Sequence, residues 1–376
     1  MNRLLLFCMA LAVVFSAPVP VEAASGAEPP VRVVFMSPDP LAQYPFWADY
    51  VGFMRAAAKS LDIELTVVES SGRFDVVENV KRVLAGPQKP DYLMYIYHAQ
   101  MTPLVLDLAE KAGVSSFVVN TDVFPSERQR AGRPREMFSR WIGHVLPDDE
   151  LASQQLAETM IQRGWKGNCE ARDGRMHLLG FGGNREGTSS TYRERGLLKA
   201  ANTNPKVVLD RFLLANWSRS IAYDKMLILH SLHPEARVCW AAGDGIALGV
   251  IDAIKASGKV PGKDILVGGI DWSAEGLAAI RRGEMEVSFG GHFMNGAWTL
   301  ILLLDYHNGI DFGEQDPVVK MEMRPIDRNS LKRYGAALNP ANWSKIDFKR
   351  FSKTYNPGLA EYAFSPDLVV RALAGR

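Results

Sequence analysis

Cysteine is scarce in this sequence, and neither sign of charge is in clear excess. The 376 residues contain three cysteines, Cys8, Cys169 and Cys239, and none has the spacing of a zinc finger or a disulfide framework. The formal net charge is +1, from 43 Lys and Arg against 42 Asp and Glu, and no basic run occurs. This balance gives no indication of a partner made of nucleic acid.

Long apolar runs are missing beyond the amino terminus. The best internal stretch, "TLILLLDY" (299–306), is too short to cross a bilayer. An early apolar run ends at Phe15, and the small residues of "VEA" (21–23) are typical of a cleavage site. The pattern predicts a signal peptide over residues 1–24 and a soluble, periplasmic mature chain. An oxidising compartment permits a disulfide between the two remaining cysteines, which could equally be unpaired.

Sequence motifs of catalysis and cofactor binding are also absent. The glycine-rich "GFGGN" (180–184) is neither G-x-G-x-x-G nor a P-loop, and "GTSSTY" (187–192) lacks the G-x-S-x-G of a nucleophile elbow. No His-x-x-x-His pair or cluster of Cys and His has metal-ligand spacing. We therefore expect a protein that is not an enzyme and has no cofactor and no metal site.

Apolar runs alternate with amphipathic stretches in two series. The first series predicts strands at 31–37, 64–70, 90–97 and 115–120, and helices at 46–63, 75–86 and 102–113. The second predicts strands at 175–183, 206–213, 236–244 and 264–271, and helices at 188–204, 218–234, 246–258 and 274–283. Residues 142–164 are interpreted as a bridge followed by the first helix of the second series.

This order predicts an α/β fold, with two doubly wound parallel-sheet lobes joined by a three-strand hinge. The length of the chain suits about two domains. The expected division gives an N-terminal lobe at 25–144 plus 292–322 and a C-terminal lobe at 145–291 plus 323–376. The last of these segments contains a tail rich in aromatics and Lys, which either wraps the lobes or forms a docking surface.

Aromatic and hydrogen-bonding side chains follow the predicted strands. Ligands of open α/β sheets bind beyond the carboxyl ends of the strands, so these side chains are the candidate site. They suit a small polyhydroxylated ligand, since flat C–H faces stack on aromatic rings while carboxylate, amide and guanidinium groups bind hydroxyls. The candidate residues are Tyr44, Phe46, Trp47, Tyr97, Asn120, Arg193, Trp217, Asp244 and Asp271.

Four segments in order resemble the type I periplasmic sugar-binding proteins, which include the ribose- and galactose-binding proteins and the related autoinducer-2 receptor. The resemblance covers roughly residues 31 to 325, and its segments are "YPFW", "RERGLLKA", "AAGDGIALGVIDAI" and "LVGGIDWSAEGLAAIRRGEMEVS". It implies that Phe46 and Trp47 stack on one face of a ligand and Trp217 on the other. It also implies that Arg193 and Asp271 bind hydroxyls.

Other positions depart from the family pattern. Tyr44 replaces the usual Asn, Gly243 replaces the Asn before the following aspartate, and Ile270 replaces an aromatic residue. Gly291 stands where the family has a ligand-binding Gln or Arg, with a histidine next to it. Asn120 stands where ribose binders have Asp and the autoinducer receptor has Asn. These changes argue against ribose itself as the ligand.

Each candidate residue also has a structural explanation that the sequence leaves open. The structural explanations are core packing for Phe46, Trp47 and Trp217, a solvated loop for Tyr97, an ion pair with a helix carboxylate for Arg193, and helix capping for Asp244 and Asp271.

Three functions fit the predicted fold, because fold alone does not determine function. The first is a monomeric receptor that delivers its ligand to the membrane permease of an ABC importer. The second is a ligand sensor that docks on a membrane kinase, cyclase or chemoreceptor. The third, an exported hydrolase or isomerase, has least support in the sequence.

Overall fold

The computed structural model describes residues 29–314 and 316–375. The residues from Val31 onward form one compact unit, which is described below. The predicted signal peptide and Cys8 lie outside the described residues. Within the described ranges, no helix has both the length and the apolarity needed to span a bilayer.

Two six-stranded sheets form the framework of the described chain. The strands are β1 Arg32–Ser37, β2 Glu64–Glu69, β3 Tyr92–Ile96, β4 Ser115–Val119, β5 Trp141–Pro147, β6 Met176–Gly182, β7 Val207–Leu214, β8 Val238–Ala241, β9 Leu266–Ile270, β10 Val287–Gly290, β11 Val318–Met321 and β12 Arg324–Ile326. The first sheet has the order β11-β5-β4-β3-β1-β2, and the second has the order β12-β10-β9-β8-β6-β7. All pairings are parallel except that of β12 with β10.

Helices connect the strands and cover the sheets. They are α1 Pro45–Leu61, α2 Arg73–Leu84, α3 Thr102–Ala112, α4 Arg128–Ala131, α5 Asp149–Lys166, α6 Thr188–Asn202, α7 Arg219–Leu232, α8 Asp244–Ala256, α9 Ala274–Arg282, α10 Asn295–His307, α11 Leu331–Tyr334 and α12 Pro366–Leu373. The predicted fold class of two doubly wound parallel-sheet lobes is confirmed.

Burial explains why the central strands have no polar alternation. The β3 sequence "YLMYI" and the β6 sequence "MHLLGFG" are buried at every position. Strands covered by helices on both faces are expected to be apolar throughout. The edge strand β2, "ELTVVE", has exposed residues at its first, third and last positions and half-buried residues at the others, as a strand with one open side does.

The chain crosses between the two sheets three times. It passes from β5 to α5 at Asp148, from β10 to α10 over residues 291–294, and from β11 to β12 over residues 322–323. Helix α5 packs on strands of the second sheet, and α10 packs on α1 and the first sheet. These crossings form the hinge. The first lies slightly later than the expected boundary at residue 144, because β5 continues to Pro147.

The carboxyl-terminal tail contacts elements on both sides of the hinge. Two 3-10 helices, Pro340–Lys345 and Phe348–Phe351, pack against α1, although the expected division assigned this segment to the second lobe. Farther along, the Phe364 ring stacks on Trp298 of α10, with ring centroids 4.9 Å apart.

The ends of the tail meet the hinge and the second sheet. Tyr334 packs on Trp272, which follows β9, with ring centroids 5.0 Å apart. A Cβ on Gly291 would lie 2.4 Å from Cγ of Pro366, and Gly291 has φ of 101°. Glycine is therefore required at this hinge position, where the family pattern has Gln or Arg.

Both described cysteines are buried and free. Burial raises the thiol pKa of Cys169, and it raises that of Cys239 to about 12. Of the two alternatives left open by the sequence, the structure has two unpaired thiols.

Candidate functional site

The two lobes meet where the carboxyl ends of their strands face each other. The Ala99 N–H donates to the Glu186 carbonyl oxygen at 2.9 Å, and the Asp122 N–H donates to Oγ1 of Thr188 at 2.7 Å. The Tyr192 hydroxyl donates to Oδ2 of Asp122 at 3.1 Å. Each of these bonds joins a loop of the first sheet to the β6–α6 segment of the second, so the structure is a closed form.

The start of α1 places an aromatic ring against the hinge. Tyr44 precedes the helix, and Pro45 at the first helical position presets the helical φ. The Phe46 ring stacks on the His292 imidazole, with centroids 4.7 Å apart and planes at 29°. Because His292 directly follows Gly291 between β10 and α10, this stack joins the first lobe to the hinge.

Trp47 is turned into the packing between α1 and the first sheet. Its side chain is 7% exposed, and its ring packs against Phe35 and Tyr50. The Trp47 side chain is also hydrogen-bonded to Asp39. Burial raises the pKa of the Asp39 carboxyl, the Trp47 bond lowers it, and the Glu186 carboxylate of the other lobe raises it.

Asp39 is a site residue that the sequence reading missed. It lies in "SPDP", directly after β1, so its position beyond a strand end was the available signal. Burial, and then the negative charge of Asp39, raises the pKa of Tyr44. Asp39 therefore links Tyr44 and Trp47 into one group at the entrance to α1.

Arg193 is almost wholly buried and uses its donors on the protein. Its Nε donates to Oδ1 of Asp149 at 2.7 Å, and its Nη1 donates to the Ala242 carbonyl oxygen at 2.6 Å and lies 3.4 Å from Oδ1 of Asp271. Its Nη2 lies 3.3 Å from Nε2 of His292. Burial opposes the positive charge, but the carboxylates of Asp149 and Asp271 overcome this and raise the pKa of Arg193.

Arg193 is therefore paired with a helix carboxylate, because Asp149 is the first residue of α5. An ion pair of this kind is the structural explanation that the sequence left open for Arg193. A guanidinium has five N–H donors, of which these contacts engage four. At most one N–H of Arg193 therefore remains for a ligand.

Trp217 lies beside the guanidinium of Arg193. The guanidinium carbon is 5.7 Å from the centroid of the Trp217 ring system, within cation–π range. A Cβ on Gly183 would lie 2.1 Å from the indole, so the glycine after β6 makes room for this ring. The indole is half-buried, which leaves part of its surface accessible.

Asp271 occupies a strained turn after β9. Its φ is 128° and that of Trp272 is 61°, both in the region that favours glycine. The Asp271 carboxylate lies 3.4 Å from Nε2 of His292 and 3.4 Å from Nη1 of Arg193. Strain of this kind persists only where the surrounding structure holds the turn.

Asp244 stabilises this strained turn through hydrogen bonds. Its carboxyl accepts from the Ser273 N–H at 2.8 Å and from the Ser288 hydroxyl at 2.7 Å. The residue is fully buried, and burial together with the nearby Asp271 carboxylate raises its pKa to about 8. Asp244 thus holds the turn that carries Asp271.

Tyr97 and Asn120 differ in their partners. The Tyr97 hydroxyl donates to Oε2 of Glu127 at 2.7 Å, inside the core of the first lobe. Asn120 follows β4 with φ of 67°, is buried, and has no hydrogen-bond partner on Oδ1.

Five buried polar atoms near the lobe boundary, Oδ1 of Asn120 among them, lack a hydrogen-bond partner among the described residues. A buried donor or acceptor left unpaired costs about 1–3 kcal/mol, so such atoms indicate an external partner. Nδ1 of His292 is an unpaired donor in one tautomer and an unpaired acceptor in the other. The atoms are Oδ1 of Asn120, the hydroxyls of Ser189 and Ser190, Nδ1 of His292 and Nδ2 of Asn295.

The structure thus joins three of the nine predicted residues through His292, which was not selected, and a fourth through Arg193. Phe46, Arg193 and Asp271 each contact His292, and Trp217 contacts Arg193. The signal for His292 was its place beside Gly291. Ser189, Ser190 and Asn295 were also missed, since serines at the start of a helix are usually interpreted as caps.

A family model described as "Periplasmic binding protein domain" matches residues 34–309. The chain belongs to this family. Among the curated relatives of this periplasmic binding protein is a putative rhizopine-binding protein of Rhizobium meliloti. It is 38% identical over 189 residues, which are 47% of this chain and 60% of that relative.

Two further curated relatives are more distant. The D-allose-binding periplasmic protein of Escherichia coli is 23% identical over 265 residues, 69% of this chain and 80% of that protein. A D-apiose import binding protein of Actinobacillus succinogenes is 22% identical over 175 residues, 46% of this chain. That match spans only about half of the apiose-binding relative, 49% of its length.

Solved structures resemble this periplasmic binding protein over most of its length. A periplasmic sugar-binding protein from Pseudomonas fluorescens has a TM-score of 0.80 at 28% identity, with 91% of this chain and 100% of that chain covered. A galactofuranose-binding protein has a TM-score of 0.69 at 18% identity, with 81% and 96% covered. The second likeness concerns the fold alone.

Proposed function

We propose that this protein binds one small sugar-like ligand between its lobes in the periplasm and delivers it to the permease of an ABC importer. Membership of the periplasmic binding protein family supports binding as the activity. The names of three relatives refer to allose, apiose and rhizopine, which supports a polyhydroxylated ligand.

The observation that carries the proposal is the group of buried polar atoms without partners around an aromatic and charged wall. Phe46 and Trp217 supply apolar faces, and Asp271 supplies a carboxylate. Asn120 and His292 each have an unpaired atom to offer a hydroxyl. Tyr97 and Asp244 are left out of the proposed contacts, because both are bonded within their own lobes.

Closure is the proposed mechanism. Asn120 and Phe46 come from the first lobe, Arg193 and Asp271 from the second, and His292 from the hinge. A ligand completes its hydrogen bonds only when both lobes contribute, so binding shifts the population towards the closed form. The membrane partner recognises that form.

A thermal-shift screen of the mature chain against aldoses, ketoses and cyclitols tests the binding proposal. A ligand at 100 times its dissociation constant stabilises the protein by about 2.7 kcal/mol. Titration calorimetry of the best ligand should then give one site per chain. Tyr97→Phe is the matched control and should bind as wild type, whereas Phe46→Ala should bind more weakly. Equal affinities of these two variants contradict the proposed site.

Turnover and transport need separate experiments. Mass spectrometry of the ligand after long incubation should recover it unchanged, and conversion proportional to protein concentration contradicts the proposal. Uptake of labelled ligand by cells that lack this chain should fall. Normal uptake combined with a lost transcriptional or chemotactic response would favour the sensor alternative.

A further inference from the structure

A cluster of histidines and carboxylates lies at the end of the second sheet opposite the candidate cleft. His177 stands near the start of β6, Asp210 lies in β7, and Glu235 lies just before β8. One ligand atom from each of these three residues lies within 4.8 Å of the others. We refer to His177, Asp210, His233 and Glu235 as the His–Asp cluster.

Distances in the cluster fit a small coordination sphere. His177 Nδ1 lies 2.9 Å from Oδ1 of Asp210, and His233 Nδ1 lies 4.0 Å from Oδ2 of Asp210 and 3.7 Å from Oε1 of Glu235. Ligands at about 2.0–2.1 Å around a tetrahedral zinc ion are roughly 3.3–3.4 Å apart. These three contacts are close to zinc spacing, and the other separations among His177, Asp210 and Glu235, which are within 4.8 Å, would shorten by up to about 1.4 Å on metal binding.

A carboxylate lies beside each ring nitrogen of His177, an arrangement that suits a metal-binding histidine. Its Nδ1 faces Asp210, while its Nε2 lies 3.2 Å from Oδ2 of Asp173. Metal-bound histidines commonly donate the other ring N–H to a carboxylate, which fixes the tautomer and the ring orientation. Asp173 is itself held by Nε of Arg175 at 2.7 Å. A metal on Nδ1 would leave this second bond intact.

A backbone irregularity also falls at the cluster. The pairing of β6 with β7 shifts register between Leu178 and Leu179, so that Asp210 has no partner in the ladder. A bulge re-aims the side chain of the extra residue. Here that residue is Asp210, whose carboxylate is buried against His177.

We propose that the His–Asp cluster binds one divalent transition metal ion of the zinc class. The ligands are His177 Nδ1, His233 Nδ1 and the carboxylates of Asp210 and Glu235, and Asp173 orients His177. Imidazole and carboxylate together suit zinc and its neighbours, whereas calcium takes oxygen ligands alone. The ion cross-links β6, β7 and the segment before β8. No motif in the sequence predicts such a site, because its ligands are spread over 59 positions.

Competition of zinc with a chromophoric chelator tests the site on the EDTA-treated mature protein. Wild type should bind one zinc ion per chain with a dissociation constant below about 1 μM, and His233→Gln and Glu235→Gln should each weaken binding at least about 10-fold. Neither residue is fully buried, so both variants should fold. His230→Gln, three residues earlier than His233, is the matched control and should bind as wild type.

Cobalt substitution and calcium competition complete the test. Cobalt should give the intense visible bands of a four-coordinate site, and these should weaken in Asp173→Asn while its far-ultraviolet circular dichroism stays that of wild type. Zinc binding weaker than about 100 μM overturns the proposal. So does equal binding in His230→Gln and His233→Gln, or a calcium affinity equal to that for zinc.

Discussion

Arg193 forms a buried ion pair with Asp149 and also belongs to the candidate site. Both Arg193 and Asp149 are 3% exposed, and the carboxylate accepts from Nε of the guanidinium at 2.7 Å. The sequence resemblance implied an arginine that binds hydroxyls of the ligand. The structure indicates that the same side chain also neutralises a buried carboxylate.

Arg193→Ala should therefore lower the free energy of unfolding of the ligand-free protein by about 3–5 kcal/mol, because Asp149 is left as an uncompensated buried charge. Urea denaturation followed by circular dichroism measures this. Arg195→Ala is the matched control on the same helix, since Arg195 forms a half-exposed pair with Glu150. Its loss should cost at most about 1 kcal/mol. Equal midpoints for the two variants contradict the assignment.

Trp217→Leu should weaken ligand binding by tens-fold. Stacking of the half-buried indole on a ligand would contribute about 0.5–1.5 kcal/mol beyond the free energy gained from burying apolar area. Intrinsic fluorescence should change on ligand binding in wild type and much less in this variant. Trp165→Leu, at the end of α5 and away from the cleft, should keep both the affinity and the fluorescence change. A Trp217→Leu protein with wild-type affinity would place the ligand elsewhere.

At the scale of elements, the tail is fastened to α10 by a single carboxylate. Asp305 is fully buried and accepts hydrogen bonds from five donors. The donors are the Ser352 hydroxyl at 2.5 Å, the Lys353 N–H at 2.8 Å, the Thr354 N–H and hydroxyl at 3.0 and 2.8 Å, and the Tyr362 hydroxyl at 2.8 Å. One side chain thus accepts from two backbone N–H groups and three hydroxyls of this segment.

Asp305→Ala should release the tail, because the change leaves several buried donors unpaired at about 1–3 kcal/mol each. Limited proteolysis should then cut within residues 352–364, which wild type protects. Asp62→Asn is the matched control. Asp62 also contacts the tail, through Lys349, but its side chain is 77% exposed, so little change is expected. Equal protection of the Asp305 variant and wild type would show that apolar packing alone holds the tail.

Strand and helix positions could be predicted because each pattern is local. The prediction of a strand at 175–183 corresponds to β6, and that of a helix at 188–204 corresponds to α6. Strand β5 was absorbed into the predicted bridge at 142–164, since its apolar run leads directly into α5. The position of the tail depends on Trp298 and Asp305, which are distant in sequence, so no local pattern could place it.

The candidate site was predictable only as a set of strand ends. That rule selected Asp271 and Asn120, but it selected Asp244 and Tyr97 equally. Which way a side chain points depends on partners such as Ser288 and Glu127, and these contacts exist only in the folded chain. The same limitation hid Asp39 and His292.

At the scale of the whole molecule, two buried histidines should make the free energy of unfolding fall as the pH becomes more acidic. Burial, and then the charge of Arg73, lowers the pKa of His98 to about 4. Burial also lowers the pKa of His144 to about 4, and Arg128 adds to this, while the Asp122 carboxylate and a bond to the Thr121 carbonyl oppose it. Both residues belong to the first lobe.

The free energy of unfolding should therefore fall in wild type, relative to a His98→Gln/His144→Gln double variant, as pH drops from about 6.5 to about 4. Across that range the unfolded histidines bind protons that the folded ones do not, so acid favours unfolding. Each shift corresponds to about 3 kcal/mol at its limit. Urea denaturation of both proteins at intervals of half a pH unit measures the difference. A difference that does not vary with pH contradicts the prediction.

The path of the tail across the hinge has a consequence for engineering. Residues 335–342 run from Tyr334, which lies on Trp272 beside the second sheet, to Trp343, which lies on Gly52 of α1. Gly335 and Ala336 are exposed within this span. A circularly permuted fluorescent domain inserted between them would be strained differently as the two anchor points change separation. A reporter at this position would lie outside the candidate cleft, so the insertion would leave the candidate site residues unchanged.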